Sequence, residues 1–202
     1  MVELLIAAAA VGLGAATIAT HFELERRLRL RHRLRAGTST LEEGEVATLT
    51  GTIRLLGAPL RAPLSGSPCA LYRLVGRSLL GPGLATEVLT TEAVMARFAL
   101  MTSHGEVLVD GERVEITWPV RRVSPRRPER EQAVRLRLGL NTTNTASLKE
   151  VAIPDGARVS VHGVLHRELA ARAAERDYRD ARTVLVLRGH PEHPLTVGRP
   201  RG

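Results

Sequence analysis

The chain has 202 residues, a length that suits one domain of ordinary size with an appendage. Apolar residues make up 44% of the chain and charged residues 25%, which excludes a disordered or low-complexity protein. Cys69 is the single cysteine, so neither an internal disulfide framework nor a Cys-rich zinc site can form. Aromatic residues amount to 2%, and this scarcity disfavours a protein that stacks bases of single-stranded nucleic acid.

The net charge of +8 is concentrated in two segments. Residues 22–35 contain six arginines and two glutamates, and residues 121–137 contain seven arginines and two glutamates. The rest of the chain is therefore close to neutral. This distribution indicates a globule with two basic segments and not a uniformly basic nucleic-acid binder.

An uncharged apolar run occupies residues 4–20 and predicts a transmembrane helix over residues 1–21, because a span needs about 17–25 residues. Glu3 precedes the run and the arginines follow it, which is the reverse of a cleaved signal peptide. Arginines beside a span stay in the cytoplasm. We therefore expect a single-pass cell-membrane protein with its N-terminus outside and residues 22–202 cytoplasmic. Small residues at Ala8, Gly12 and Ala16 leave open a homo-oligomer through this helix.

Residues 22–37 are predicted to form a basic juxtamembrane helix or linker. Its arginines could contact the anionic headgroups of membrane lipids, or they could act as a topology signal without lipid specificity. The six candidates for membrane-surface contact are Arg26, Arg27, Arg29, Arg31, Arg33 and Arg35.

From residue 38 onward the apolar residues mostly alternate with polar ones, which predicts short strands. A hairpin is expected around Ser103, His104 and Gly105, and one helix over residues 165–178, which hold no Gly or Pro. Many short strands with Gly and Pro turns predict a mainly β domain over residues 38–202, a small OB-like or Greek-key β-barrel with one internal helix. The predicted strands cover residues 46–56, 69–75, 93–101, 105–110, 132–140, 157–164, 183–188 and 195–197.

Candidate chemistry is sparse. Cys69 fits a small buried residue better than a nucleophile, and Ser65 lacks the surroundings of a nucleophile elbow. Tyr72 and Arg73 alternate in a predicted strand, so we expect Tyr72 to be packed and Arg73 to face solvent. His162 and His166 are expected on different elements, and His190 and His193 alternate with prolines in a turn, so neither pair predicts a metal site. We expect no catalytic residues, no metal and no cofactor. The second basic segment, predicted to begin as an exposed loop, offers one possible contact to a partner through Arg121, Arg122, Arg126 and Arg127.

Two stretches of the sequence carry a family resemblance. Residues 51–75 contain A-P-L-S-G-x-P-C-x-x-Y-R, and residues 150–163 contain E-x-x-I-P-x-G-x-x-V-x-V-x-G, with a hairpin F-x-L…G-x-V-x-V between them. This combination resembles the GIDE-type domain of the mitochondrial ubiquitin ligase activator family, also called the BAM (beside-a-membrane) domain. It covers about residues 45–198. The matching positions are Pro63, Leu64, Ser65, Gly66, Pro68, Cys69, Tyr72, Arg73, Gly105, Pro154, Gly156 and Gly163.

The resemblance implies a membrane-adjacent interaction domain similar to a prokaryotic relative of that family. The eukaryotic members carry a second span and a RING, which binds two zinc ions through Cys and His ligands. These 202 residues contain no second apolar run and one cysteine, so a ubiquitin-ligase activity does not carry over. The resemblance places the eukaryotic domain on the non-cytosolic side of its membrane, whereas the arginine flank predicts the cytoplasmic side here.

We expect a protein-interaction or scaffolding module held at the membrane surface, with an unidentified protein partner. The alternatives are a membrane-tethered hydrolase or transferase whose site is assembled in the fold, and an OB-type nucleic-acid binder. Clustering of Tyr72, Phe98 and Trp118 on one exposed face would favour nucleic acid. A polar pocket that joins Cys69 to a histidine would favour an enzyme.

Overall fold

The computed structural model describes residues 41–79, 86–120, 128–140, 147–169 and 183–200. Strands dominate these ranges, and they contain one helix. In chain order the elements are β1 (Val46–Leu55), β2 (Leu60–Arg61), β3 (Pro68–Cys69), β4 (Leu71–Leu79), β5 (Thr86–Met95), β6 (Phe98–Thr102), β7 (Gly105–Val109), β8 (Val114–Ile116), α1 (Pro128–Arg137), β9 (Ser147–Ile153), β10 (Arg158–Leu169), β11 (Thr183–Arg188) and β12 (Leu195–Gly198).

Five strands close into a barrel in the order β1-β6-β7-β11-β10, because β10 also pairs with β1 along its first half. The β7–β11 pair is parallel and the other four pairs are antiparallel. Alternate residues of each strand point inward and form one apolar core. That core includes Leu49, Ile53, Phe98, Leu100, Val107, Val109, Val159, Val161, Leu165 and Leu187. The prediction of a mainly β protein built on a small closed barrel is confirmed.

Two short strands extend the barrel sheet. β12 pairs antiparallel with β10, and β8 pairs parallel with β12. A second sheet has the order β5-β4-β9 and packs one face against the barrel core through Leu71, Met95 and Ile153. Its other face carries Tyr72 and Leu74, which belong to two separate apolar clusters. Successive residues of β4 thus face different layers of the molecule.

The strand predicted over residues 132–140 is wrong, because α1 covers Pro128–Arg137. The alternating leucines suggested a sheet face, yet Val134 is buried and Leu136 is 70% exposed. Pro128 at the first helical position, with Glu129 and Glu131 in the first turn, favours a helix start. Gly139, with a φ of 65°, lies just beyond the helix, and Leu140 N donates to Arg135 O at 2.9 Å.

The helix predicted over residues 165–178 is also wrong in its first part. β10 continues to Leu169 and pairs with β11 from Val164↔Arg188 to Leu169↔Thr183. Strand pairing and the burial of Leu165 in the barrel outweigh the local helix propensity. Residues 170–178 lie outside the described ranges.

The predicted transmembrane helix and the basic segment with Arg26, Arg27, Arg29, Arg31, Arg33 and Arg35 fall within residues 1–40, which the structure does not describe. Among the residues it does describe, no helix combines the length and apolar character that crossing a membrane requires.

Gly163 lies where β10 passes close to the neighbouring backbone. A Cβ at this position would meet Arg188 O at 2.6 Å, a contact that requires the backbone to shift. We expect Gly163→Ala to lower the free energy of unfolding by about 2 kcal/mol, the cost typical of overpacking. Gly57→Ala is the matched control, because a Cβ there meets nothing within 4 Å. Denaturant unfolding of both variants measures the difference, and equal stability of the two would contradict the packing described here.

Candidate interaction site

The Pro-rich stretch of the first motif forms a small hairpin. β2 pairs with β3 in the register Leu60↔Cys69, and the turn between them spans residues 62–67. Ala62 N donates to Ser67 O at 3.0 Å, and Gly66 N donates to Ala62 O at 2.8 Å. Gly66 adopts a φ of 68°, in the left-handed region that favours glycine. Backbone hydrogen bonds therefore give this turn one defined conformation.

A buried carboxylate fixes the turn to the second sheet. Glu150 on β9 is 2% exposed, and its carboxylate accepts hydrogen bonds from Leu64 N at 2.6 Å and Ser65 N at 3.1 Å. A carboxylate leaves water at a high cost unless donors surround it, and these two amides supply them. Glu150 begins the second motif, while Leu64 and Ser65 belong to the first. The contact joins two motifs that are 86 residues apart in sequence.

Helix α1 covers the same turn from the outside. Val134 packs with Leu64 and Leu74 in one apolar cluster. The Arg130 guanidinium lies directly over Gly66, where a Cβ would come within 1.5 Å of a terminal nitrogen. Any side chain at position 66 would therefore displace Arg130. Glycine at this position satisfies both the positive φ and the close approach of the helix.

A charged cluster holds the C-terminal end of α1 against the sheet. Arg137 pairs with Glu92 at 2.9 Å, and Glu92 accepts a hydrogen bond from the Tyr72 hydroxyl at 2.6 Å. Burial and this hydrogen bond to a carboxylate raise the pKa of Tyr72 to about 12. Tyr72 is therefore a protonated hydrogen-bond donor at neutral pH, and the prediction that it is packed is confirmed.

Arg73 does not lie in solvent as the alternation predicted. Its guanidinium donates to the Ile116 carbonyl on β8 at 2.9 Å, and the side chain is only partly exposed. The residue therefore ties the second sheet to the strand that ends the extended barrel sheet. Alternation correctly placed Tyr72 and Arg73 on opposite faces, but it could not show that both faces are covered.

Cys69 is a structural residue. It is 1% exposed, and its thiol donates to Leu60 O at 3.7 Å. Burial, with a smaller contribution from the negative charge of Glu150, raises the pKa of the thiol to about 11. A nucleophilic cysteine needs the thiolate at neutral pH, and this environment opposes it.

The other motif positions lie in turns or close contacts. Pro63 is half-buried in the hairpin turn, and Pro68 is exposed on β3. Gly105 begins β7 directly after the β6–β7 turn and pairs with Thr102. Pro154 and Gly156 form an exposed turn before β10, in which Gly156 N donates to Ile53 O at 3.0 Å. These positions shape the backbone and show no catalytic arrangement.

The two histidine pairs considered from the sequence lie on β10 and in the turn before β12, where His190 and His193 exchange backbone hydrogen bonds at 2.8 and 2.9 Å. His162 and His166 both lie on β10, so the expectation that His166 begins a helix is wrong. His162 is buried, with Nδ1 at 2.9 Å from the Thr48 hydroxyl, and its ring contacts that of His193 edge-on at 6.3 Å. No group of three or more His, Cys, Asp or Glu in the described part of the chain is arranged to hold a metal ion.

The three aromatic residues singled out above do not share an exposed face. Phe98 is inside the barrel, and Tyr72 is buried under the hairpin. Trp118 packs against the barrel core, and Arg199 stacks over its ring at 5.2 Å. The described residues therefore offer no stacking platform built from these three. Arg121, Arg122, Arg126 and Arg127, the predicted partner contacts, lie outside the described ranges.

Four side chains that fix the hairpin and helix of this site were not found from the sequence: Glu92, Arg130, Arg137 and Glu150. Pro128 followed by Glu129 and Glu131 is a helix-start signal that would have placed Arg130 and Arg137 on a helix. Nothing in the sequence around Glu150 indicates its contact with the amides of Leu64 and Ser65.

Comparisons with protein-family models, curated proteins and solved structures give no match to this chain.

Glu150→Leu leaves the buried amide of Leu64 and the part-buried amide of Ser65 without an acceptor, and loss of a buried acceptor costs ~1–3 kcal/mol. We expect a loss of about 3 kcal/mol in the free energy of unfolding and faster hydrogen exchange at Leu64 N and Ser65 N. Glu150→Gln is the control, because its amide oxygen still accepts one bond. Unchanged exchange at both amides in Glu150→Leu would refute the role assigned to this carboxylate.

Native Cys69 is expected to resist thiol-alkylating reagents at neutral pH and to react only when the chain unfolds. Because the fold retains the neutral thiol, the stability gained is complete below its usual pKa near 9 and is lost as pH rises through about 11. Labelling rates of native and denatured chains across this range check both points. Rapid labelling of the native chain at neutral pH would instead indicate an accessible thiolate and revive the enzyme hypothesis.

Proposed function

We propose that this chain is a membrane-anchored protein-interaction module of the GIDE/BAM type. The observation that carries the proposal is the contact of Glu150 with Leu64 and Ser65. The resemblance depends on two separate motifs, and this contact gives their joint presence a physical reason. One motif supplies the turn and the other supplies the carboxylate that holds it.

We propose further that the barrel is of the OB type. Numbered in chain order as one to five, its strands β1, β6, β7, β10 and β11 follow the order one, two, three, five, four, and the fourth returns to the first. Strands three and five are parallel. This order supports a Greek-key barrel of the OB kind, with the hairpin, β4 and β5 inserted between its first and second strands.

The membrane anchor is proposed from residues 4–20 and the arginines that follow them, which favour a cytoplasmic domain and contact with anionic headgroups. The chain joins the barrel just before β1, where Gly44 N donates to Leu165 O at 2.8 Å and Leu165 N donates to Glu45 O at 2.9 Å. A tether attached at this point would hold one end of the barrel towards the membrane. β1 then runs away from it for roughly 30 Å.

Binding, and not catalysis, is the activity that the described geometry supports best. The motif residues fix the conformation of the hairpin. A loop that binds a partner requires such a rigid support. Cys69 is a buried thiol with a raised pKa, which removes the nucleophile that the hydrolase or transferase hypothesis would use first.

The proposal is tested in the native membrane with the full-length chain. We expect the chain to resist alkaline extraction, to expose its C-terminal region on the cytoplasmic side, and to crosslink to one protein at near-stoichiometric yield. A variant lacking residues 36–202 should stay in the membrane and lose the partner. Glu150→Leu should reduce the yield while the anchor is unaffected.

Two results would overturn this function. Release of the full-length chain by alkaline extraction would remove the anchor. Capture of lipid alone, with no protein dependent on residues 36–202, would remove the interaction module.

A further inference from the structure

β5 presents a long unpaired edge in the part of the chain that the structure describes. The second sheet has the order β5-β4-β9, so β5 pairs with β4 on one side and with no described strand on the other. Its ten residues include neither proline nor lysine, which proteins commonly place on a sheet edge to protect it. The register with β4 shifts between Gly76 and Arg77, so the regular part of β5 is residues 90–95. We call residues 90–95 the β5 edge.

One hydrogen bond shows which backbone groups of the β5 edge point outward. Ala96 N donates to Ala70 O at 2.8 Å, in the same register as the β4–β5 ladder. In an antiparallel ladder, successive residues direct their amides and carbonyls to opposite sides of the strand. Every second residue back from Ala96 therefore bonds to β4. The amides and carbonyls between them point away from the sheet and bond to no described residue: Thr91, Ala93 and Met95.

Solvent reaches the β5 edge along its whole length. Thr91 is exposed and the other residues of the segment are half-buried, whereas Leu71 and Leu74 on the neighbouring β4 are buried. Ala93 and Met95 remain half-buried although they pack against the barrel core. The faces of β5 are thus covered better than its outer edge.

The other strands that end a sheet in the described ranges are shorter or better covered. β2 and β3 have two residues each. β8 has three, and its Ile116 carbonyl accepts a hydrogen bond from Arg73. β8 comes close to β5 without forming a ladder with it. On β9 the hairpin turn is bound by Glu150, and both Leu148 and Glu150 are buried. Of these edges, β5 is the longest and the least covered.

Unbonded amides and carbonyls along a strand edge are complementary to another extended strand. β5 of a second copy is already extended and carries the same outward row of groups. A flexible segment of another protein would first have to be ordered, which costs free energy. A second copy of this chain is therefore the favoured occupant of the β5 edge.

The side chains of β5 permit such a pair. When two copies run antiparallel about a two-fold axis at Ala93, Ala93 faces Ala93 of the second copy. Thr91 then faces Met95, and Glu92 faces Val94. Small side chains meet at the axis and no like charges lie opposite each other, as a stable strand pair requires. The three outward residues of each copy exchange about six backbone hydrogen bonds with the other copy.

We propose that two copies of this chain pair antiparallel along their β5 edges and join their second sheets in the order β9-β4-β5-β5-β4-β9. The two-fold axis is perpendicular to this joined sheet, so each face of one copy continues into the same face of the other. Both hairpin turns therefore lie on one face and both barrels on the other. This inference goes beyond the proposed function, because it holds with or without a membrane anchor.

Hydrogen exchange of the unmodified full-length chain tests the pairing without a substitution. The chain is purified from whichever fraction holds it, membrane or soluble, and labelled at about 1 µM and about 100 µM for residue-resolved mass spectrometry. We expect the amides of Thr91, Ala93 and Met95 to exchange at least about threefold more slowly at the higher concentration. The amides of Glu92 and Val94 are the internal control, because they bond to β4 in both states and should not change.

A proline at the β5 edge tests the same contact by substitution. Thr91→Pro removes one outward amide and leaves the ladder with β4 in place. We expect the dissociation constant of the dimer, measured by analytical ultracentrifugation, to rise at least about tenfold. Thr91→Ser is the matched control, because it keeps the amide, and its dissociation constant should stay within about twofold. Thermal unfolding shows whether both variants are folded.

A second variant separates this dimer from one formed by the N-terminal apolar run. Gly12→Leu fills the row of small residues there and should leave the dissociation constant unchanged. Loss of the dimer in Gly12→Leu would overturn pairing at the β5 edge. A monomer at both concentrations, or equal dimerisation of folded Thr91→Pro and Thr91→Ser, would overturn it as well.

Protection of the β5 edge by another protein is a further outcome. If the chain is a monomer and the amides of Thr91, Ala93 and Met95 become protected only when a crosslinked partner is added, the edge belongs to that partner and self-pairing is wrong. All of these results are independent of alkaline extraction and crosslinking yield, which report the proposed function.

Discussion

The arrangement of the hairpin, helix and second sheet depends on one buried carboxylate. Glu150 is buried from water, where an uncompensated charge costs several kcal/mol, and the amides of Leu64 and Ser65 compensate it. The turn is thereby fixed on β9, which pairs with β4 in the second sheet. One face of that sheet packs against the barrel core. The same turn contains Gly66, and the guanidinium of Arg130 on α1 lies over it. Loss of this carboxylate would therefore weaken the contacts among the hairpin, α1 and the second sheet.

Most of the barrel could be predicted from the sequence because its strands are half-buried. In β1 and the first part of β10, one face meets the core and the other meets solvent or a polar row, so apolar residues recur at every second position. The helix could not be found in this way. Its leucines also alternate, yet only Val134 and the following Leu140 are buried, and alternation alone does not say which face is covered. The end of β10 was predicted as a helix, because its local sequence favours a helix and only the pairing with β11 overrides that propensity.

The site was predictable in its residues but not in its contacts. The motifs singled out the turn around Ser65, the buried Cys69 and the Tyr72–Arg73 pair, and each has a specific place in the structure. What each contacts depends on residues far away in sequence, such as Glu150 for the turn and Ile116 for Arg73. A single sequence shows composition and period, and it gives no sign of which of its acidic residues enters the interior. Burial of Glu150 and exposure of Leu136 therefore emerged only from the three-dimensional arrangement.

The hydrogen bond from Arg73 to Ile116 also bears on how copies of this chain behave when they are crowded. β8 is three residues long, ends the extended barrel sheet, and pairs with β12 on one side. The edge of a sheet is a template on which another chain can add a strand. Here the carbonyl of Ile116 is already occupied by a side chain of the same molecule. Because β8 is short and Arg73 already occupies the carbonyl of Ile116, another chain finds few free groups to pair with there. Arg73 thus protects the chain from edge-to-edge aggregation at this strand.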